Sequence, residues 1–149
     1  MTTLVQHKKA RFNFEILESY EAGLELFGHE VKSLRNKQGS LEGAHVLVRG
    51  NEAFLVGATI PPYQASNTPE SYDPERTRKL LLNKKEIGEI ADAEAKKGLT
   101  IIPISVYSKG RKLKLQIAIA RGKKKYDKRE VLKKRESTRA IERTLKNKY

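Results

Sequence analysis

Apolar and polar side chains alternate in several stretches of the chain, and a period of two is typical of strands with one buried face. The first such stretch begins at Phe12 and continues with Phe14 and Ile16, with polar residues between them. A second strand is predicted over residues 24–27, after Gly23, whose backbone freedom allows a bulge or a tight turn. The pattern therefore predicts two short strands near the start of the chain.

The spacing of apolar residues then changes from two to three. Val31 and Leu34 lie three positions apart within residues 30–35, and Gly39 follows shortly afterwards. Apolar residues at this spacing lie on one face of a helix, and a glycine commonly ends such a segment. We expect a short amphipathic helix here.

A second helix has a clear start signal. Asn83 is a good N-cap residue, and Glu86 stands three positions later, as in a capping box. Gly98 is expected to end the helix. The residues predicted to form its buried stripe are Ile87, Ile90, Ala91 and Ala95.

Two pairs of predicted strands are joined by short turns. Residues 45–49 and 52–56 flank Gly50-Asn51, a two-residue connection that permits a type I′ or II′ hairpin. Residues 99–107 and 112–120 flank a second turn. In the last strand the residues on the apolar face are Leu113, Leu115, Ile117 and Ile119, and those on the other face are Lys112, Lys114 and Gln116.

The pattern as a whole predicts a mainly β protein. Residues 60–75 hold four of the five prolines and are expected to form a long surface loop. About six strands in hairpins, with two or three short flanking helices, suit an OB-like antiparallel barrel, because closure removes exposed strand edges. A two-layer α+β sandwich is the alternative. We expect the barrel to comprise residues 1–120 and to be followed by a basic tail, residues 121–149.

Charge separates these two parts. The chain carries a formal net charge of +13, of which +9 falls in residues 121–149. A strongly basic protein of this size points to a polyanionic partner, most often nucleic acid. Repulsion between like charges is expected to keep the isolated tail disordered, whereas a phosphate-lined groove would allow it to form a helix. Ile141 and Leu145, four positions apart, would lie on one face of that helix.

Several classes of protein receive no support from the sequence. It has no cysteine, no apolar signal region in residues 1–11 and no apolar run of membrane-spanning length, so we expect a cytoplasmic protein without a membrane partner. His7, His29 and His45 are far apart in sequence and are interpreted as surface or edge residues. No nucleophile motif or phosphate-binding glycine loop is present, and we expect no enzyme activity, cofactor, metal or small-molecule substrate.

Short basic segments are the candidate contacts for RNA. Lys8, Lys9 and Arg11 precede the first predicted strand, and residues 76–79 read Arg-Thr-Arg-Lys at the end of the proline-rich loop. Such side chains bind phosphates and give an affinity that depends on salt, without reading sequence. Exposed tyrosines could add base stacking. Two classes remain open at this stage: a generic basic RNA-binding or ribosomal protein, and an enzyme acting on RNA, which would need clustered carboxylates or a histidine pair.

Five sequence blocks occur in an order that resembles one known family. They are Lys9-Ala10-Arg11, EAGL at 21–24, EVKSLR at 30–35, RTRKLLL at 76–82 and GKKKYDKR at 122–129. Together they are similar to SmpB, the family of small proteins that accompany tmRNA in bacterial trans-translation. The resemblance implies an OB-like barrel that binds the tRNA-like domain of tmRNA and delivers it to stalled ribosomes. It also implies a ribosomal partner site at the small-subunit decoding region and the mRNA channel.

The resemblance assigns roles to particular residues. Glu21 and Leu81 match family residues needed for tmRNA binding. An acid beside phosphate is unfavourable, so Glu21 is expected to accept hydrogen bonds from a base edge or a 2′-hydroxyl group, or to orient an arginine. The basic residues expected around them are Lys8, Lys9, Arg11, Lys32, Arg35, Arg76, Arg78, Lys79, Lys123 and Lys124.

The tail carries a separate motif. Asp127, Lys128 and Arg129 match the family segment tied to activity on the ribosome, and Tyr126 precedes them where some members have His. A tyrosine ring can stack on a base as an imidazole does. His7 stands where the family often has Asn. The tail is thus expected to sense the ribosome, and the barrel to bind the RNA.

Overall fold

The computed structural model describes residues 2–64 and 68–123, which form a mainly antiparallel β-structure with short helices. The strands are β1 Thr2–Gln6, β2 Phe14–Leu24, β3 His45–Arg49, β4 Glu52–Val56, β5 Arg78–Leu81, β6 Leu99–Lys109 and β7 Lys112–Gly122. The helices are α1 Ala10–Asn13, α2 Gly28–Arg35 and α3 Lys84–Ala95. The predictions that fall outside the described residues concern Lys124, Tyr126, Asp127, Lys128, Arg129, Ile141 and Leu145.

The strand pairings run in a ring. From β6 they pass through β3, β4, β5, β2 and β7 and return to β6, and every pair is antiparallel. The ring is thinnest between β3 and β6, where Val46 opposes Ile101, so the barrel is partly open there. β1 pairs with β6 beyond this point, over residues 105–108. The ring has six strands, which confirms the predicted OB-like antiparallel barrel, but β1 and β5 were not among the predicted strands.

The main core fills the inside of the ring. Leu115 and Ile117 of β7 are fully buried, as is Ile90 of α3, which packs into the same cluster. The predicted inward face of β7 is therefore confirmed. A smaller cluster on the outer side of β6 and β7 is formed by Ala10, Ile102, Ile104, Ala118 and Ala120, with Phe14 and Ile16 packed against it.

The start of the barrel differs from the prediction. The two strands expected near Phe12 and over residues 24–27 are one long strand, β2, with a shift of register between Ile16 and Glu18. Residues 25–27 lie outside it, because the Phe27 N–H donates to the Glu30 carboxylate at 2.7 Å and helix α2 starts immediately afterwards. The alternation in this region marked a strand correctly, but its ends were wrong.

Two local signals gave correct predictions. Gly50 and Asn51 have φ angles of +59° and +62°, as a type I′ turn requires, and they join β3 to β4. Asn83 Oδ1 accepts the Glu86 N–H at 2.8 Å, and Glu86 Oε1 accepts the Asn83 N–H at 3.1 Å, which completes the capping box. The helix stripe was predicted less well, because the buried alanine of α3 is Ala93 and not Ala95.

Among residues 2–64 and 68–123, no helix is long and apolar enough to cross a membrane.

Candidate nucleic-acid interface

Glu21 lies on the outer face of β2 with a carboxylate that is held from two sides. The Tyr107 hydroxyl donates a hydrogen bond to Glu21 Oε2, and Lys109 Nζ lies 3.3 Å from Glu21 Oε1. The hydrogen bond from Tyr107, with contributions from Lys109 and Lys114, lowers the pKa of Glu21 below its ordinary value. The exposed carboxylate therefore stays ionised at neutral pH and can accept further hydrogen bonds from a ligand.

A cleft of about 630 Å³ surrounds this carboxylate. Its lining residues come from four strands and are mostly polar: Thr3, Ser19, Tyr20, Glu21, Ser105, Tyr107, Lys109 and Gln116. The cleft is wide enough for ribose or base edges, and hydroxyl groups of an RNA would meet a fixed acceptor at its centre. Tyr107 and Lys109 were not predicted as site residues.

Leu81 lies in a second groove, next to the first. Its side chain is 51% exposed although it is apolar, and it presses on Gly23 so closely that a Cβ atom there would lie 3.0 Å from the Leu81 Cβ. The groove is lined by apolar and by basic residues. These residues are Gly23, Leu24, Leu26, Val31, Leu81, Arg111, Lys112, Leu113 and Lys114.

The register of the sheet explains why Glu21 and Leu81 lie together. β2 pairs with β5 at Gly23 and Leu81, and with β7 at Glu21 and Gln116. Lys114 opposes Gly23 in β7, which brings its side chain to the same groove. The sequence pattern did place Lys114 on the outer face of β7, but the pairing with β2 was needed to bring it to Leu81.

Arg78 requires a correction. It was predicted to contact RNA, but its side chain is completely buried. Its Nε donates to Glu30 Oε2 at 2.9 Å, and its other nitrogens donate to the carbonyl oxygens of Ala58 and Pro74, both at 2.9 Å. Because all of these bonds would break if the guanidinium moved to a phosphate, the Arg78 side chain stabilises the fold and is not available to RNA in this structure.

Arg76 belongs to the same buried network, although its side chain is 24% exposed. Both Arg76 and Arg78 bind the Glu30 carboxylate, which is fully buried. Burial alone would raise the pKa of Glu30, but hydrogen bonds from Arg76 and the Phe27 N–H and the charge of Arg78 outweigh it and lower the pKa to about 2. The network joins α2 to the proline-rich loop, because Tyr72 also donates to Glu30, at 2.9 Å.

The remaining predicted contacts fall into two groups. Arg35 lies near the Leu81 groove, where its Nη2 donates to the Arg111 carbonyl oxygen at 2.9 Å, and Lys32 is exposed on the same helix. Lys79 points outward from β5 and forms an ion pair with Glu52 at 3.1 Å.

The second group lies at the other end of the barrel. Lys123 Nζ donates to the Arg11 carbonyl oxygen at 3.0 Å, and Lys8 and Lys9 are exposed beside α1. β2 runs antiparallel to β7 between these groups, from Glu15 opposite Arg121 to Gly23 opposite Lys114. Eight residues of strand span about 26 Å. The predicted basic contacts therefore do not form one patch.

The histidines also need a partial correction. His7 was interpreted as a surface or edge residue, but it is 92% buried beside β6, with its Nδ1 3.2 Å from the Pro103 carbonyl oxygen. In the described ranges, 2–64 and 68–123, no group of three or more His, Asp or Glu side chains is arranged to hold a metal ion.

Comparison with known proteins identifies the family. The family model described as SmpB protein matches residues 4–147. The chain belongs to the SmpB family. Similar proteins named SsrA-binding protein include one from Mesoplasma florum, 50% identical over 96% of this chain and 93% of that protein. Another, from Gloeothece citriformis, is 46% identical over 96% of this chain and 92% of that protein.

A solved structure gives the same result. A chain from a structure described as "tmRNA-SmpB: a journey to the center of the bacterial ribosome" superimposes with a TM-score of 0.68 at 39% identity. The match covers 80% of this SmpB-family chain and 84% of the other. The resemblance to SmpB that was stated from five sequence blocks is thus confirmed.

Proposed function

We propose that this SmpB-family protein binds the tRNA-like domain of tmRNA and delivers it to stalled ribosomes for trans-translation. The similar proteins named SsrA-binding protein match nearly the whole chain, and the structural neighbour is described by tmRNA and the bacterial ribosome. The similar proteins are named for binding SsrA and not for a reaction, so we infer that this protein also acts by binding. Its place beside ribosomes makes it cytoplasmic.

One observation carries the proposal to particular residues. Glu21 and Leu81, the two positions that the family resemblance marks, lie at one end of the barrel beside a basic rim that includes Arg111, Lys112 and Lys114. Lysine and arginine there would neutralise phosphates, and the Leu81 side chain would pack on a sugar or base. Glu21 would accept a hydrogen bond from a 2′-hydroxyl group. This combination favours folded RNA over a simple polyanion.

The tail is proposed to act after the RNA has been delivered. Residues 124–149 carry eleven lysines and arginines, and the motif Asp127-Lys128-Arg129 with Tyr126 lies at their start. We infer that this segment enters the empty mRNA channel next to the decoding region and becomes helical there, with Ile141 and Leu145 on one face. Barrel and tail would then have separate partners, RNA and ribosome.

The first test compares two exposed leucines. Leu81→Ala removes the apolar wall of the groove, whereas Leu17→Ala removes a leucine of similar exposure, 45%, elsewhere on β2. We expect Leu81→Ala to weaken binding of the tRNA-like domain about tenfold or more, in the presence of excess bulk tRNA, and Leu17→Ala to leave it unchanged. Equal effects of the two substitutions would remove the groove from the RNA interface.

A further inference from the structure

An aromatic cleft of about 510 Å³ lies beside the groove of Leu81 and is not used by the interface described above. Phe27 is 53% exposed, and the Arg76 guanidinium stacks on its ring with 4.1 Å between guanidinium carbon and ring centroid. The His29 ring lies 5.6 Å from Phe27 and meets Tyr72 edge-on at 4.5 Å. Aromatic rings and a stacked guanidinium make a surface suited to a flat, polarisable ligand.

One polar atom in this cleft has no hydrogen-bond partner among residues 2–64 and 68–123. The Nδ1 atom of His29 is buried, and it forms no hydrogen bond with any described residue. Buried polar atoms are nearly always hydrogen-bonded, because leaving one unpaired costs free energy. A ligand that offers a donor or an acceptor at this depth would therefore be favoured over a purely apolar one.

The charges in the cleft favour a neutral ring over a phosphate. Arg76 lines the cleft, but its Nε and Nη2 already donate to Glu30, a carboxylate that Arg76 shares with Arg78. Asp73 adds a carboxylate to the wall, and that carboxylate would repel a phosphate. Its Oδ1 accepts the Glu75 N–H at 2.9 Å, so Oδ2 remains to receive an amino group of a base.

The cleft is continuous with the proposed RNA-binding groove. Leu26 lines the groove of Leu81, and the next residue, Phe27, lines the cleft. The Glu25 N–H donates to the Lys79 carbonyl oxygen at 3.0 Å, which fixes this connecting segment against β5. Since Leu26 and Phe27 are neighbours in the chain, an RNA strand that crosses Leu81 would lie close to Phe27.

We propose that this cleft receives one unpaired base of the bound RNA, which stacks on Phe27 and hydrogen-bonds to His29 Nδ1. The inference rests on the proposed function, since it assumes that RNA lies across Leu81. It adds a site that distinguishes RNA with a splayed-out base from a regular helix, because a paired base cannot leave its stack without cost. The site would thus contribute selectivity and not only affinity.

The test is a cycle of changes in the protein and in the RNA. The full chain and its Phe27→Ala variant are each titrated with the tRNA-like domain and with versions that lack one base at each unpaired position in turn. Stacking on an aromatic ring is worth enough to change affinity about 5- to 100-fold per base. We expect Phe27→Ala to weaken binding by such a factor, and one abasic RNA to weaken binding to the wild type but not to Phe27→Ala.

Two further variants control for changes in folding. Phe27→Tyr keeps the aromatic ring and should bind within about twofold of the wild type. Tyr63→Ala removes another exposed aromatic residue, 43% exposed and outside the cleft, and should leave binding unchanged. Thermal unfolding of Phe27→Ala shows directly whether the fold is intact, and the abasic series with the wild-type protein needs no variant at all.

The possible results are distinct. If Phe27→Ala binds every RNA like the wild type, or weakens all of them equally with no coupled base, the proposal is wrong. It is also wrong if Phe27→Ala affects only association with ribosomes. If in either case Leu81→Ala still weakens selective binding, the proposed function stands without the cleft. If the wild type does not prefer the tRNA-like domain over bulk tRNA, the proposed function itself fails.

Discussion

Glu21 shows how a single acid can serve an RNA-binding surface. Tyr107 and Lys109 fix its carboxylate and stabilise its charge, so the side chain presents an oriented acceptor and not a loose negative charge. A 2′-hydroxyl group is the RNA feature that such an acceptor recognises. The contribution of Glu21 to RNA binding is therefore expected to depend on the orientation of its carboxylate. Substitutions can separate this effect from that of net charge.

We predict that Glu21→Lys weakens binding of the tRNA-like domain about tenfold, although it adds positive charge, because a hydrogen bond to a charged acceptor is lost. Glu15→Lys makes the same change of charge on the same strand, at a position 59% exposed and 3.9 Å from Arg121. It should bind as well as the wild type or more tightly. Filter binding at fixed salt with a tRNA competitor measures both. Tighter selective binding by Glu21→Lys would show that charge alone governs the site.

Tyr107 is the residue that controls the charge of Glu21. We predict that Tyr107→Phe raises the pKa of Glu21 toward its ordinary value, because the hydroxyl group that donates to the carboxylate is removed. Carbon-detected NMR titration of the Glu21 side chain measures this directly. The same substitution should weaken RNA binding about 2- to 10-fold, because the Tyr107 hydroxyl group no longer orients the Glu21 carboxylate. An unchanged pKa would contradict the role given to Tyr107.

Glu30 belongs to the fold and not to the interface. Glu30→Gln leaves Arg78 buried without its counter-charge, so we predict a loss of about 3–5 kcal/mol in the free energy of unfolding. Glu52→Gln breaks the exposed ion pair with Lys79 and should cost less than about 1 kcal/mol. Urea unfolding compares the two. Similar losses for both would mean that burial adds nothing to the Glu30 pair.

The pKa of Glu30 sets the pH range in which the wild type is more stable than Glu30→Gln. The pKa is lowered from 4.5 to about 2 in the folded protein, so the stabilisation is present above pH 4.5 and is lost as pH falls toward 2. We therefore expect the gap between wild type and Glu30→Gln to be constant at neutral pH and to narrow between pH 4.5 and 2. Unfolding curves at several pH values measure the gap, and a constant gap down to pH 2 would contradict the assignment.

At the scale of elements, the contact between β2 and β5 controls the shape of the groove. We predict that Gly23→Ala destabilises the protein by about 1–3 kcal/mol and weakens RNA binding, because its Cβ would lie 3.0 Å from the Leu81 Cβ and push that strand aside. A Cβ atom at Gly88 in α3 would have no atom from outside its own helix within 4 Å. Gly88→Ala should therefore stabilise the protein by about 0.5–1 kcal/mol. Thermal unfolding and RNA titration of both variants test this, and a neutral Gly23→Ala would show that β5 adapts.

Local signals predicted some elements well and others poorly. The Gly50-Asn51 turn and the cap at Asn83 depend on residues close in sequence, so the sequence alone was sufficient. β5 was missed because its four residues follow a proline-rich loop and become a strand by pairing with β2 and β4. Strands of this length have little pattern of their own, and distant partners decide them.

The same limit applies to the site. Family resemblance marked Glu21 and Leu81, but Lys114 joins them through a register between β2 and β7 that no local pattern contains. Arg78 was mistaken for an RNA contact because a basic residue next to a loop is usually exposed, and its buried partner Glu30 lies 48 positions away in sequence. Net charge indicated the class of partner, and the fold was needed to separate binding arginines from structural ones.

At the scale of the whole molecule, barrel and tail should separate in experiments. Gly122 still pairs with Phe14, and the Lys123 N–H donates to the Asn13 carbonyl oxygen at 2.9 Å, so a truncation should end at residue 123 and not at 120. We predict that residues 1–123 keep selective binding of the tRNA-like domain with a shallower dependence on salt, because the charged tail is absent. Peptide tagging on stalled ribosomes should be lost.

RNA binding at several salt concentrations measures the salt dependence. A tagging assay on ribosomes stalled on a message without a stop codon measures the loss of tagging. The full chain with Asp127, Lys128 and Arg129 replaced by alanine is the matched control, since it keeps the length of the tail. It should bind RNA normally and fail to tag. A truncated protein that still tags would contradict the division of roles, and loss of RNA selectivity on truncation would move the binding site into the tail.

The two ends of β2 and β7 have a mechanical consequence. Leu81 and Lys114 mark one end of this strand pair, and Lys123, after which the tail begins, marks the other. If RNA lies across Leu81 as proposed, about 26 Å of paired strand separates it from the point at which the tail starts. In this protein that distance is the length of a pair of strands.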